Sequence, residues 1–549
     1  MTVMLSRRFL LSCSCLLLFA FAPLLASPPA ADDYARWPEV SGASISEDGR
    51  YVAFLTPSGR EYFNLNCTDL RTGKSEQFNM QGFDVWQFEW IDATRLLVHA
   101  WHPSNHDYQI ALFDVTKGRI VEHLRGQRWL NMRVLSHLRS DPDLFVAYFP
   151  AGDYFENART GLAVINARRR PASISGVKDY RYMVKEWLSI PDGEYHGAST
   201  DMEGELRLIA LYRDGKMTYH YRTASNADWQ ALPFDYEATN IVAFDQDPDY
   251  LYIGHYSDAS KTSALHRYRV STGEFGPALY SDPYYSMYDA WITKVRTGKG
   301  RVRNLALNYQ RDVRVQLPLD PEFAAVQKEI NALLPGRLNL IHDCDRDLKY
   351  FILTSTSGRD TPRCIIYNRE DNTLSALPEG RPWLKTERAS IMQPMKFTAR
   401  DGLQLEGYLS LPAPRADGKK PPLIVNPHGG PWLRDTWGFN TEVQFLTSRG
   451  YAVFQPNYRG SSGYNTAISK TDAFEFRKMH DDVTDGVRHL IAQGLVDGDR
   501  VAIFGGSFGG YLAVAGAAFE PGLYRCAITF AGVFDWERLI RQRWTDSKY

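Results

Sequence analysis

The stretch Ile503–Tyr511, I-F-G-G-S-F-G-G-Y, places a serine among glycines where an apolar strand is expected to pass into a helix. Gly505, Ser507 and Gly509 fit the pattern G-x-S-x-G, in which the serine occupies a tight strand-to-helix turn and its hydroxyl projects from the sheet. Glycine is needed on both sides because a side chain there would collide with neighbouring backbone. The stretch therefore predicts an α/β domain with Ser507 as its candidate nucleophile.

On both sides of Ser507, apolar segments that predict strands alternate with segments that have the apolar period of a helix. The segment M-K-F-T-A-R-D-G-L-Q-L-E-G-Y-L-S-L-P predicts a hairpin that turns at Asp401-Gly402. Buried strands are predicted from the runs P-L-I-V-N, G-Y-A-V-F-Q-P-N and R-V-A-I-F-G-G, and helices over about residues 472–493 and over Phe508–Phe519. Such alternation is typical of parallel strands covered on both faces. Residues 391–549 are therefore expected to form an α/β domain.

The upstream part of the chain, residues 32–390, contains a recurring phrase instead. D-P-D-L-F-V-A-Y-F-P-A-G from Asp141 returns as D-P-D-Y-L-Y-I-G-H-Y-S-D from Asp247 and as D-R-D-L-K-Y-F-I-L-T-S-T-S-G from Asp345. Looser copies begin at Asp48, Asp92, Asp201 and Gly298. Each copy predicts an acidic turn followed by a buried strand, and the period of roughly 45–60 residues fits one four-stranded blade. We predict a β-propeller of about seven blades; a β-sandwich is the alternative, but it would not need the recurrence.

A glycine-rich turn, Asn426–Pro431, follows the strand that is expected beside the nucleophile strand. Acyl transfer requires N–H donors for the oxyanion that develops in the transition state. Such a turn can offer one backbone N–H, and Phe508 can offer another at the start of its helix. His428 is interpreted as a part of this turn that hydrogen-bonds and stiffens it, with a catalytic role as the alternative.

Four segments together carry a family resemblance. N-P-H-G-G-P-W, Q-P-N-Y-R-G-S-S-G-Y, D-D-V-T-D-G-V-R-H-L-I-A-Q-G-L-V-D-G-D-R-V-A-I-F-G-G-S-F-G-G-Y-L-A and A-G-V-F-D-W, in this order and spacing, resemble the catalytic domain of the prolyl oligopeptidase family of serine peptidases. The H-G-G-P turn is similar to that of the acylaminoacyl-peptidase-like branch. The resemblance covers about residues 392–549 and implies an α/β-hydrolase fold. It also implies that Ser507 is the acyl nucleophile and that Gly430 and Phe508 supply the oxyanion amides, while Arg459 is a structural or pocket-edge residue.

The other two members of the catalytic triad have no candidates in the sequence. In the family, the serine is followed by an aspartate and then a histidine well downstream, yet no histidine follows Ser507 here. Asp535 and Asp546 come too early, and Asp535 is predicted to cap a turn. His480 and His489 precede the nucleophile strand on or beside a helix, where surface positions are expected.

We therefore expect the triad Asp and His to be absent and the chain to be a C-terminally truncated peptidase, with an α/β-hydrolase domain that is incomplete at its C-terminus. Loss of such groups costs roughly a millionfold in turnover, so the chain as written is expected to be almost inactive. An evolved non-enzyme is the alternative. It is disfavoured because the strand in Y-R-C-A-I-T-F-A-G-V would be an open apolar edge that lacks charge or proline to protect it.

The first 31 residues are predicted to be a secretory signal peptide. Arg7 and Arg8 precede an apolar run from Phe9 to Ala26, and cleavage is expected between Ala26 and Ala31. A retained membrane anchor is the alternative, because the run approaches the roughly 18–20 residues that span a bilayer. The arginine pair also weakly resembles a twin-arginine signal. We expect an exported protein, periplasmic or extracellular, without stable membrane insertion after cleavage.

Composition excludes several other classes of function. The 63 basic and 64 acidic residues leave a formal net charge of −1, so no basic surface is expected for nucleic acid. No C-x-x-C pair or histidine cluster suggests a metal, and no cofactor is expected. Cys344 and Cys364 are spaced to allow a disulfide, although two buried free thiols are the favoured interpretation.

The sequence thus predicts a serine peptidase that hydrolyses short peptides through an acyl-enzyme on Ser507. Oligopeptides are the expected substrates, since a propeller beside the site would exclude folded proteins. A carboxylic esterase using the same serine, and a propeller that acts only as a binding protein, are the alternatives. Specificity (prolyl, acylaminoacyl or dipeptidyl) and oligomeric state stay open. Glu203 and Glu205 are the nearest approach to the acidic pair with which dipeptidyl members hold the substrate amine.

Overall fold

The structure is a computed structural model of the chain and describes residues 28–541. The residues left out within this range are 60–62, 79–81, 103–107, 126–131, 151–160, 170–179, 235–238, 258–261, 288, 298–301, 385–388, 466–467, 469–474 and 539–540. The apolar run of the predicted signal peptide, the first residues of the helix predicted from residue 472, and Asp546 lie outside the described residues. Within them, no helix combines the length and apolar character required to cross a bilayer.

Seven consecutive antiparallel meanders, numbered here as blades 1 to 7, follow a short helix α1 (Ala31–Ala35). Blade 1 contains β1 (Ser41–Ile45), β2 (Tyr51–Pro57), β3 (Phe63–Asp69) and β4 (Ser75–Phe78). Blade 2 contains β5 (Asp84–Trp90), β6 (Arg95–Trp101), β7 (Tyr108–Asp114) and β8 (Arg119–Arg125). Blade 3 contains β9 (Arg133–Leu138), β10 (Asp141–Phe149), β11 (Gly161–Asn166) and β12 (Val184–Trp187), with a 3₁₀ turn at Tyr180–Met183. A single residue pair, Phe63 with Val85, joins blades 1 and 2 into one eight-stranded sheet.

Blades 4 and 5 contain β13 (Glu194–Thr200), β14 (Leu206–Arg213), β15 (Lys216–Tyr221) and β16 (Gln230–Ala231), then β17 (Thr239–Phe244), β18 (Tyr250–Ser257), β19 (Thr262–Arg269) and β20 (Glu274–Ser281). Blades 6 and 7 contain β21 (Trp291–Arg296), β22 (Val302–Gln310) and β23 (Arg314–Pro318), then β24 (Leu338–Cys344), β25 (Tyr350–Thr356), β26 (Arg363–Asn368) and β27 (Thr373–Ala376). Helix α2 (Pro321–Leu333) follows β23, at the place in the chain where the other blades have a fourth strand. The predicted propeller is confirmed.

The first and last blades close the ring by direct packing. Ile45 and Phe54 of blade 1 share a buried apolar cluster with Ile352 and Ile366 of blade 7. The hydroxyl of Ser44 and the backbone N–H of Ile45 both donate to Asp343 Oδ2, at 2.6 and 3.0 Å. These bonds join the first strand of blade 1 to the first strand of blade 7. They therefore fix the inner wall of the ring at the place where its first and last blades meet.

The copies of the recurring phrase whose turns the structure describes each form the turn into the second strand of a blade, together with that strand. Of the copy from Gly298, the described part is the strand β22. The acidic residue explains the recurrence. In blade 2, Asp92 Oδ1 accepts the backbone N–H groups of Thr94 and Arg95, both at 2.8 Å. In blade 7, Asp345 Oδ1 accepts those of Lys349 and Tyr350, at 2.8 and 2.6 Å. Each carboxylate thus satisfies donors that the tight turn leaves without strand partners.

The α/β domain has a six-stranded sheet in the order β28-β29-β31-β30-β32-β33. Its strands are β28 (Met392–Thr398), β29 (Gln404–Ser410), β30 (Pro422–Val425), β31 (Ala452–Asn457), β32 (Asp497–Gly506) and β33 (Cys526–Phe530). The last four are parallel to one another, whereas β31 pairs antiparallel with β29, and β28 and β29 form the predicted hairpin at Asp401-Gly402. The helices are α3 (Thr441–Thr447), α4 (Phe476–Ala492) and α5 (Phe508–Phe519). The predicted bounds of α5 are confirmed.

Helix α4 covers one face of this sheet with the apolar positions expected from its period. Val483, Val487 and Leu490 are at most 1% exposed and pack with Val425 of β30 and Ile503 of β32. These two neighbouring strands therefore share one core. This packing fixes the relative positions of the two loops that leave their carboxyl ends.

The four described cysteines, Cys67, Cys344, Cys364 and Cys526, are free thiols. Cys344 lies opposite Phe351 and Cys364 opposite Thr354, so the two strand cysteines face different partners on β25. The disulfide considered for Cys344 and Cys364 is not present in the structure.

Candidate active site

Ser507 sits at the junction of β32 and α5 in a strained conformation. Its φ and ψ are 54° and −121°, a positive φ that residues with a side chain seldom adopt. Its backbone N–H donates to the carbonyl of Phe530 (3.0 Å), and its own carbonyl accepts the N–H of Tyr511 (3.1 Å). The side chain is exposed. The sheet and the helix thus hold the backbone from both sides and leave the hydroxyl free to react.

The flanking glycines are required by close approach. A Cβ on Gly505 would lie 2.4 Å from the carbonyl carbon of Gly509, and a Cβ on Gly509 would lie 2.1 Å from the carbonyl oxygen of Pro427. Both distances are far inside van der Waals contact. Gly509 is therefore the point at which the nucleophile turn meets the turn that follows β30.

The turn Asn426–Pro431 passes over Ser507. A Cβ on Gly429 would be 3.4 Å from Ser507 Cβ and 3.9 Å from its Oγ. The next residue, Gly430, is exposed and has a φ of 121°. Phe508 opens α5, where the first N–H groups of a helix have no partner within the helix. The structure therefore brings Ser507, the Gly430 turn and the Phe508 amide into one place.

His428 is committed to the turn itself. Its Nδ1 lies 2.7 Å from the carbonyl oxygen of Gly429 and its Nε2 lies 2.9 Å from Ser461 Oγ. The ring stacks on Tyr458 at a centroid distance of 4.4 Å, and the Tyr458 hydroxyl donates to the His428 carbonyl at 2.8 Å. Burial lowers the pKa of the imidazole to about 4, so the ring is neutral near pH 7. These contacts agree with the stiffening role rather than with a catalytic one.

Arg459 is structural. Its guanidinium makes two bonds of 2.7 Å to the carboxylate of Asp482 and an ion pair of 2.8 Å with Asp401. The side chains of Arg459 and Asp482 are 4% and 0% exposed. The group therefore ties β31 to helix α4 and offers no free charge to a substrate.

Within the part of the chain that the structure describes, none of the remaining histidine and acid candidates is hydrogen-bonded to Ser507. The surface position expected for His480 is wrong: it is 1% exposed, because it lies on the same face of α4 as Val483 and packs against Phe519. Asp535 accepts the N–H of Arg538 at 2.9 Å, which is the capping role predicted for it.

Glu203 and Glu205 do not form a free acidic pair. Glu203 is bound to Arg296 at 2.9 Å. Both glutamates lie in or beside the turn between the first two strands of blade 4. The propeller end that touches the α/β domain is built from turns between second and third strands, such as the one whose Asp312 carbonyl accepts the Tyr408 hydroxyl at 2.7 Å, and from the connection between blades 5 and 6. Since strands run antiparallel, the two glutamates lie at the opposite end.

Two charged residues directly after the glycine turn, Arg434 and Asp435, were missed by the sequence reasoning. Gln455 Nε2 donates to Asp435 Oδ1 at 3.0 Å and the backbone N–H of Asp435 donates to Asn457 at 2.8 Å. Burial raises the pKa of the Asp435 carboxyl to about 7. Arg434 is 7% exposed at its side chain. The available signal was the adjacent pair R-D between the apolar segments P-W-L and T-W-G-F.

The fold and the site together define an α/β-hydrolase domain that follows a β-propeller in one chain. Residues 437–549 match the sequence model of the prolyl oligopeptidase family. The resemblance predicted from the motif segments is therefore confirmed over these residues.

The relatives agree with this assignment. Dipeptidyl aminopeptidase BIII of Pseudoxanthomonas mexicana is 31% identical over 352 residues, which cover 62% of this chain and 50% of that protein. Dipeptidyl peptidase family member 6 of Caenorhabditis elegans is 31% identical over 229 residues, covering 38% of this chain and 31% of that protein. The chain thus spans half or less of the length of these curated relatives. A puromycin hydrolase crystal structure has the same fold, with a TM-score of 0.65 at 17% identity over 93% of this chain and 80% of that one.

Proposed function

We propose that the protein is a serine peptidase in which Ser507 attacks the carbonyl carbon of a short peptide. The observation that carries the proposal is the exposed serine with a φ of 54° at the head of α5, beneath the Gly429-Gly430 turn. The Ser507 oxygen would form a bond to the carbonyl carbon, and the oxyanion would accept N–H bonds from Gly430 and Phe508. The C–N bond then breaks, the amine leaves, and water releases the acyl group from the serine.

This cycle needs a base that takes the hydroxyl proton and returns it to the leaving amine. Within the described residues, no side chain is hydrogen-bonded to the Ser507 hydroxyl, and His428 is committed elsewhere. We propose that the triad Asp and His are not among these 549 residues, and that the 549 residues alone turn over substrate on the order of a millionfold more slowly than a complete triad would allow. The oxyanion amides and substrate binding would account for the remaining catalysis.

Short peptides are the proposed substrates. The names of the first relatives refer to removal of dipeptides, which supports peptide bonds as the target. A propeller that borders the site would admit extended segments and exclude folded proteins. The choice among prolyl, acylaminoacyl and dipeptidyl specificity stays open, since Glu203, a candidate for holding a substrate amine, is paired with Arg296.

We also propose that the protein is exported to the periplasm or the extracellular space. The proposal rests on the arginine pair and the apolar run before Ala26 in the sequence. Sequencing of the mature N-terminus tests it: a start between residues 27 and 32 is expected, and a membrane-bound protein that begins at Met1 would contradict it.

The function is tested on protein purified from its native source, by intact mass and a fluorophosphonate probe applied to the same sample. Labelling at Ser507, with a mass above that of residues 32–549, is expected. The expressed 549-residue chain and its Ser507→Ala variant are the controls, and neither should be labelled at an appreciable rate. Native protein that matches the written chain in mass and takes up no probe would contradict the proposal and favour the propeller as a binding module. Hydrolysis of acyl esters without hydrolysis of any amide would favour the esterase.

A further inference from the structure

A short segment of the propeller, residues 282–287 between blades 5 and 6, enters the α/β domain. Tyr285 is 3% exposed and belongs to the apolar core of that domain, and it forms an isolated antiparallel bridge with Tyr464. The N–H of Ser286 donates to the Gly463 carbonyl (3.1 Å), and the N–H of Asn465 donates to the Tyr284 carbonyl (2.9 Å). The propeller is thus attached to one loop, residues 461–465, by backbone as well as side-chain contacts.

The same loop holds the turn above Ser507. Ser461 Oγ lies 2.9 Å from His428 Nε2, and the N–H of Ser462 donates to the Leu433 carbonyl at 3.0 Å. The five residues 461–465 therefore contact the oxyanion turn (residues 428–433) at one end and the propeller at the other. Gly463, which bonds to the propeller, directly follows Ser462, which bonds to Leu433, so a shift of the propeller segment reaches the bonds that fix the turn without crossing any other residue.

A buried polar network strengthens this connection. Glu406, 2% exposed, accepts the hydroxyl of Tyr285 at 2.8 Å and that of Tyr464 at 2.6 Å. Glu406 Oε1 also lies 3.3 Å from the guanidinium of Arg434, the residue directly after the turn. Arg434 also donates to the Tyr464 hydroxyl at 2.8 Å and lies 4.0 Å above the Tyr464 ring.

Buried charges are stable only when their hydrogen-bonding capacity is met. Tyr285 is the propeller residue that donates a hydrogen bond to this carboxylate. Arg434, which contacts the same carboxylate, lies three residues after Pro431 in the chain. The loss of one hydroxyl on the propeller would leave Glu406 short of a donor and loosen its hold on Arg434.

We propose that Tyr285 is a positioning residue through which the propeller holds the oxyanion turn, residues 428–433, in place over Ser507. The inference rests on the proposed function, in which Gly430 supplies an oxyanion amide. An oxyanion donor is effective only when it is fixed before the reaction. The propeller therefore does more than enclose the site: its docking completes the geometry of the site.

Amide hydrogen exchange of the 549-residue chain tests the proposal without any need for turnover. Tyr285→Phe keeps the ring in its apolar surroundings and removes only the bond to Glu406. We expect exchange in the segment 429–435 to become roughly tenfold faster, as for the loss of one hydrogen bond to a charged group. Exchange in β30 and β32, which reports unfolding of the whole domain, should change much less.

Tyr284→Phe is the matched control, because the Tyr284 hydroxyl also crosses between the domains but donates to the Gln404 carbonyl (3.2 Å), outside the Glu406 network. It should leave the turn at the wild-type exchange rate, whereas Tyr464→Phe should repeat the effect of Tyr285→Phe. Unchanged exchange at 429–435 in Tyr285→Phe, or an equal effect of Tyr284→Phe, would overturn the inference. Failure of Ser507 in the native protein to react with the fluorophosphonate probe would count against the proposed function and leave this result untouched.

Discussion

Asp435 gives the site a pH dependence that a single substitution can isolate. Folding raises the pKa of this carboxyl to about 7 through burial, whereas in the unfolded chain it titrates near about 4. The folded protein therefore binds the proton more tightly, so the contribution of Asp435 to stability is greatest below about pH 4 and is lost as the pH rises through 7.

Asp435→Asn should remove this dependence, because an amide does not titrate. In urea unfolding at several pH values, we expect the variant to gain about 2 kcal/mol or more on wild type between pH 4.5 and pH 8, less than the full shift would give because part of the shift lies below pH 4.5. Asp192→Asn, which changes an exposed carboxylate of the propeller, is the control. A stability difference between Asp435→Asn and wild type that stays constant with pH would contradict the assignment.

Gly509 tests the close approach at the nucleophile turn. A methyl group there would lie 2.1 Å from the Pro427 carbonyl oxygen, so either the turn over Ser507 or the start of α5 must move. We expect Gly509→Ala to destabilise the protein by about 3 kcal/mol or more and to reduce any reaction of Ser507 with the probe. Gly522→Ala is the control, since a Cβ at that position meets nothing within 4 Å. Equal unfolding midpoints for the two variants would count against the contact.

At the scale of elements, the sequence predicted what depends on local chemistry. The acidic turns repeat because each carboxylate satisfies N–H groups of its own turn, as Asp345 does for Lys349 and Tyr350, and a local need of this kind leaves a local signal. Helix α2, in place of a fourth strand of blade 6, was not predicted, although Asp320 at its N-cap and Pro321 in its first turn are local helix signals. It is held by Phe323, Val326 and Ile330, which pack against residues of blade 7 that are distant in the sequence.

The turn of blade 7 allows a test of this local stabilisation. Asp345 is 1% exposed and accepts two backbone N–H bonds through one oxygen. Asp345→Ala should therefore cost about 2 kcal/mol in the free energy of unfolding, because buried N–H groups would lose their acceptor. Asp347→Ala, two residues along the same turn and exposed, should cost less than about 0.5 kcal/mol. Similar losses for the two variants would show that the buried carboxylate has no special role.

At the scale of the whole molecule, the motifs located Ser507, the Gly430 turn and Phe508, but they could not reveal what holds these residues together. Tyr285 belongs to a propeller connection with no motif of its own, and its partner Glu406 is 121 residues away in the chain. A pairing across two domains leaves no periodicity in either one. Arg434 was not predicted for the same reason, since the contacts that give it a role are with Glu406 and Tyr464 rather than with its neighbours in sequence.

The inserted segment also predicts how the two domains unfold. Tyr285 fills the core of the α/β domain from the propeller side, so neither domain should lose its structure without exposing the other. Calorimetry of the wild-type chain should show a single transition. Tyr285→Ala, which removes the ring as well as the hydroxyl, should cost about 3–5 kcal/mol and divide the transition into two, with the α/β domain melting first. Tyr221→Ala removes a tyrosine that is buried only within the propeller, 1% exposed, and should lower the melting temperature without dividing the transition. Because the two substitutions delete the same side chain, a single transition in both would mean that the propeller and the α/β domain are coupled by contacts other than the Tyr285 segment.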